Sequence, residues 1–77
     1  MLQMSTDLQV NQPIVEIIGD KFIRIDNYIS IEEFENETIT VKTKIKKVRI
    51  LGDNLLIKFI NESEIGITGV VKSIEFF

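Results

Sequence analysis

"IIGDKFIRI" at residues 17–25 and "ILGDNLLIKF" at residues 50–59 share one plan: two aliphatic residues, Gly-Asp, a polar residue, then an apolar run. What each Gly-Asp does decides the fold. A phosphate loop needs several glycines leading into a helix N-terminus whose free N–H groups face the anion. A calcium loop needs oxygen ligands at close intervals. Here each Gly-Asp runs into β-branched and aliphatic residues, and Asp20 and Asp26 stand six apart with Phe22, Ile23 and Ile25 between them. The pair therefore reads as a corner between strands, with glycine supplying positive φ and aspartate capping it. On this reading Gly19-Asp20, Gly52-Asp53 and Gly69 are three structural turns of similar design, and Gly52-Asp53-Asn54 is a short hairpin loop.

The rest of the chain points the same way. Isoleucine dominates an apolar share of 44%, and alanine, tryptophan, histidine and cysteine are absent. Branched side chains are stiff at χ1 and suit a pleated surface, so such a chain forms strands readily and helices poorly. "FIRID" puts Ile23 and Ile25 on one face and Arg24 and Asp26 on the other. "YISIEEF" alternates until Phe34 changes parity, which predicts a bulge near Glu32–Glu33, and Asn36 is the natural left-handed residue of the turn that follows. "TITVKTKI" places Ile39, Val41 and Ile45 opposite Lys42, Lys44 and Lys46, and parity changes again near Lys46 and Lys47. "IVEII" suits a buried strand, and Phe34, Phe59, Ile74 and Phe76 suit the core, with Phe77 partly exposed.

The expected fold is all-β: an antiparallel meander of about eight short strands, hairpin-joined, forming a small roll, barrel or sandwich. Residues 1–12 read as a flexible N-terminal tail and residues 13–77 as one β domain. "SIEEFENE" imitates a capping box, but it is too short and too strand-flanked to become a helix.

Composition excludes much chemistry. Without cysteine there is no disulfide framework, thiol nucleophile or thiolate zinc site. Without histidine the usual general base and the commonest metal ligand are gone. Eight strands in 65 residues leave no room for a protected pocket, so no catalytic, metal or cofactor residues are expected and the chain reads as no enzyme. The N-terminus lacks the basic and apolar regions of a signal peptide, and no stretch is apolar enough to span a membrane. A cytoplasmic protein is expected.

Residues 42–49, "KTKIKKVR", hold five of the nine basic residues in a chain of net charge −3. They fit a phosphate-tracking stripe for nucleic acid or an anionic membrane surface, or a solvated face whose lysines meet the acidic "EEFENE" across strands. Sheet modules that bind nucleic acid interleave exposed aromatics for stacking, and this stretch contains none. Lys42, Lys44, Lys46 and Phe77 are the candidate partner contacts, since a small meander has edges that must be protected or used.

From Pro13 onward the chain resembles the YabP/YqfC family of sporulation proteins. The likeness lies in "IxxIIG" ending at Gly19, "FIRIDNYISIEEFENETITVKT" at residues 22–43, "VRILGDNLLIKFI" at residues 48–60 and the closing "EIGITGVVKSIEFF". The resemblance implies a non-enzymatic role in spore formation, in the mother cell of a Gram-positive spore former. It also implies a small β adaptor working with a protein partner, a membrane-associated sporulation protein or a second copy, and so a position at the membrane periphery. The alternative is a small barrel binding nucleic acid through residues 42–49.

Overall fold

A computed structural model describes residues 12–77. The expected tail, Gln12 apart, lies outside the described residues. The described residues are all-β, as expected, but with six strands rather than eight: β1 (Ile14–Ile18), β2 (Phe22–Asp26), β3 (Tyr28–Glu35), β4 (Thr38–Thr43), β5 (Lys47–Ile60) and β6 (Glu64–Phe76). They form one open antiparallel sheet in the order β1-β2-β6-β5-β4-β3, with β1 and β3 at its edges.

The strand count falls because two of the three glycine corners are not corners. Gly19, at φ 64, does turn the chain between β1 and β2. Gly52 and Asp53 instead lie within β5, and Gly69 within β6, because the two strands remain paired across both sites. The register shifts between Leu51 and Gly52 and again between Asp53 and Leu56, so these residues form bulges that bend a continuous ribbon. Asn54 (φ 53) and Gly69 (φ 136) take left-handed backbone at the bend. Gly52 has no room for a side chain, since a Cβ there would stand 2.0 Å from the Val70 carbonyl oxygen.

The bent ribbon divides the sheet into two leaves. Residues 64–68 of β6 and 56–60 of β5 form the first leaf with β2 and β1. Residues 47–53 of β5 and 70–76 of β6 form the second with β4 and β3. The meander holds only from β3 to β6. β2 and β3 are not a hairpin; Asn27, at φ 62, passes the chain from the first leaf to the second. Among the described residues the left-handed asparagines are thus Asn27 and Asn54, not Asn36.

Bending a strand frees backbone donors, which must find other acceptors. At β5 the turn between β3 and β4 supplies them: Gly52 N–H donates to the Glu37 carbonyl (3.1 Å) and Leu55 N–H to that of Asn36 (2.8 Å). At β6 the turn between β1 and β2 does the same, with Gly69 and Val71 donating to Lys21 and Asp20 carbonyls at 3.2 Å.

The inward faces share one core of Ile23, Ile25, Ile65 and Ile67 from the first leaf, Leu55 at the bend, and Ile39, Val41, Val48 and Ile50 from the second. The expected parity of β2, β4 and the start of β5 is borne out, and so is the bulge, which falls between Ile31 and Glu33. Three expectations of burial are corrected. Ile14, Ile17 and Ile18 are exposed because β1 is an edge strand rather than a buried one. Ile45 is 61% exposed because β4 ends at Thr43. Phe34, Phe59 and Phe76 lie on the outside too, while Ile74 packs against the core.

Candidate functional site

The outer face of the first leaf carries two rows of cross-strand neighbours: Ile18, Phe22, Thr68 and Leu56, then Glu16, Arg24, Gly66 and Phe59. Gly66 is the reason the second row is flat. A Cβ there would stand 2.3 Å from the Phe59 ring, so only glycine lets the ring lie down on the sheet. Phe22 stands beside it with ring centroids 6.3 Å apart and planes inclined 35°. Leu56 and Ile18 extend this apolar surface, each more than half exposed.

Next to the platform Arg24 gathers three carboxylates, Glu16 at 3.1 Å, Asp26 at 3.3 Å and Glu64 at 3.6 Å. Its Nε and the Asp26 Oδ1 are sealed from solvent and make no aligned hydrogen bond, so charge alone holds them together. The cluster ties β1, β2 and β6 across the leaf. Among the described residues no group of His, Cys, Asp or Glu is placed to hold a metal ion.

The outer face of the second leaf is polar. Thr40, almost fully buried, donates its hydroxyl to Glu33 (2.9 Å) and accepts from Arg49 Nε (3.4 Å). Arg49 also reaches Glu75 at 3.7 Å, and Lys47 meets Glu32 at 2.9 Å. The Phe77 ring lies beneath both cations, 4.4 Å from the Arg49 guanidinium and 5.9 Å from the Lys47 amine. The expected pairing of basic strand and acidic hairpin therefore exists, but Lys47 makes it rather than Lys42, Lys44 or Lys46.

The candidate contacts separate. Lys42 lies on β4, in a row with Lys47, which exchanges backbone hydrogen bonds with Phe77 at 2.9 Å. Lys44 and Lys46 are not on that strand, because the loop after Thr43 holds them. This corrects the three-lysine stripe on one face. Lys46 and Ile45 border an apolar cavity of about 120 Å³ with Pro13, Val15, Val48 and Phe76, below the roughly 300 Å³ at which small-molecule sites begin. Of the turn residues, Gly19 and Asp20 form one, Gly52 and Gly69 form the bends, and Asp53 pairs with Lys72 at 3.2 Å.

The apolar platform is what sequence reasoning missed. Its signal was Gly66 between two inward isoleucines, an outward position left empty for a neighbour's ring. Among the described residues no helix is long and apolar enough to cross a membrane. Compared with known proteins, the chain matches the model of the YabP family over residues 9–77. No curated protein and no solved structure matches it.

Proposed function

The chain belongs to the YabP family, and on that footing we propose that it is a non-enzymatic β adaptor of spore-envelope formation in the mother cell. It docks a protein partner, a membrane-associated sporulation protein or a second copy, on the outer face of the first leaf. The observation that carries this reading is the platform in which Phe59 lies over Gly66 with Phe22, Leu56 and Ile18 beside it. An aromatic and aliphatic surface of this kind, bordered by a charged cluster, has the make-up of a docking centre with a polar rim. The β5 edge beside it, residues 56–60, pairs among the described residues with β6 alone and offers backbone groups to an added strand.

The test replaces Phe59 with serine. The ring is partly exposed, so folding survives while the platform loses its centre. A sporulating strain carrying this variant should form heat-resistant spores as poorly as one lacking the gene, at unchanged protein level. Full sporulation by the variant would end the reading. Light scattering after size exclusion separates a second copy from a different partner.

The nucleic-acid alternative gains one observation, the exposed Phe77 beside Lys47 and Arg49. Such binding should weaken steeply between low and moderate salt, whereas apolar docking on the first leaf should hardly respond.

A further inference from the structure

Ile45 stands out among the apolar side chains. It is 61% exposed, in the loop between β4 and β5, with lysines on either side. The loop is held rather than loose. The buried Thr43 hydroxyl accepts the N–H groups of Ile45 (3.3 Å) and Lys46 (3.1 Å) and donates to the Lys46 carbonyl, while Thr43 N–H bonds that same carbonyl at 3.2 Å. A fold that spends four hydrogen bonds on presenting an isoleucine to water holds it ready for a surface, since little ordering remains to be done on contact. Phe76, 56% exposed, borders the same cavity as Ile45 and Pro13 and enlarges the apolar tip.

Charge identifies the surface. The whole chain carries −3, yet residues 42–49 carry five cations and no carboxylate. Lys47 and Arg49 spend theirs on Glu32 and Glu75, whereas Lys42, Lys44 and Lys46 make no ion pair among the described residues. A polyanion in water gains nothing from a projecting isoleucine, and an acidic protein would need a hollow shaped to receive it. A lipid headgroup layer accepts both parts at once, the apolar side chains below the phosphates and the amines among them.

We propose that the loop between β4 and β5 is a docking tip for an anionic bilayer. Ile45 and Phe76 enter the headgroup boundary, and Lys42, Lys44 and Lys46 meet lipid phosphates. Neither contribution anchors the chain alone, and the two together give reversible attachment. The tip lies apart from the first-leaf platform, so a protein partner and a bilayer are engaged by different surfaces.

The test is co-sedimentation of the full chain with vesicles of phosphatidylcholine containing about 30 mol% phosphatidylglycerol, and with phosphatidylcholine alone, at about 0.1 M and 0.5 M salt. Binding is expected only to the anionic vesicles and only at the lower salt. Lys44→Glu and Lys46→Glu should each weaken it by about fivefold or more. Ile45→Ser should weaken it comparably, with far-UV circular dichroism unchanged, and Phe59→Ser should leave it intact. The proposal is overturned by equal binding to neutral vesicles, by undiminished binding of Ile45→Ser, or by no sedimentation at low salt. Single-stranded RNA bound by the same lysines in place of vesicles would overturn it in favour of a polyanion site. Ile45→Ser losing vesicle binding, with Phe59→Ser keeping it while losing sporulation, is the result expected of two separate surfaces; loss of vesicle binding in Phe59→Ser as well would overturn the separate tip.

Discussion

The two leaves are built alike and finished differently. Each takes one half of the β5–β6 ribbon, adds a hairpin beside it, and sends that hairpin's turn to cover the ribbon's bend with two backbone hydrogen bonds. Each contributes four aliphatic side chains to the shared core, with Leu55 between them. The outward faces differ: the first leaf lays Phe59 over Gly66 with Phe22 at its side and sets the Arg24 cluster next to them, and the second weaves arginine, lysine, threonine and glutamate around Phe77. Inward positions answer to packing, which is equivalent on both sides. Outward positions answer to whatever meets them, so the difference between the leaves is where function is to be sought.

The comparison breaks most severely at the bend the leaves share. Gly52→Ala sets a Cβ against the Val70 backbone, which cannot yield as a side chain would, and should cost about 4 kcal/mol, read as a lost or strongly lowered melting transition. Next come matched core truncations. Ile65→Ala in the first leaf and Ile50→Ala in the second should each cost about 3 kcal/mol by urea titration. A difference above about 1 kcal/mol between them would show that the leaves are unequal partners in the core.

Smaller effects sharpen the contrast of the faces. Arg24→Met leaves three carboxylates facing one another and should cost about 1.5 kcal/mol. Arg49→Met, whose carboxylate partner is half exposed, should cost about 0.5 kcal/mol. Equal losses would remove the claim that the first leaf is the one clamped by charge. Smallest but one is Gly19→Ala, at about 1 kcal/mol: its Cβ meets nothing within 4 Å, so only the left-handed backbone resists. Set beside Gly52→Ala, it measures how far identical Gly-Asp pairs differ in kind.

That pair also marks the limit of what sequence can say. Alternation of apolar and polar residues placed Ile23, Ile25, Ile39 and Val41 inside and located the bulge near Glu32. The face of a strand is a local property, and on these strands it was legible. Which strand lies alongside is not local. "IIGD" ends a strand because its partner turns back on it, and "ILGD" bends one because β6 runs past it. For the same reason Phe59 looked like core: nothing nearby in the chain announces that the residue opposite it is Gly66. The lysine stripe failed likewise, since Thr43 ends β4 by taking the loop's amides onto its own hydroxyl.

The carbonyls of Asp20, Lys21, Asn36 and Glu37 carry a consequence for where the chain tolerates being opened. Exposed turns between hairpin strands are the usual choice for inserting a tag or relocating the termini. Here the two hairpin turns are poor choices, because the backbone that would be rerouted is the backbone that completes the bends of β5 and β6. The turn at residues 61–63, held among the described residues by its own asparagine and neighbours and by the Asn27 backbone N–H and the Tyr28 hydroxyl, is the better place to splice a reporter. A graft there leaves both bends, and with them the juxtaposition of the two faces, as they are.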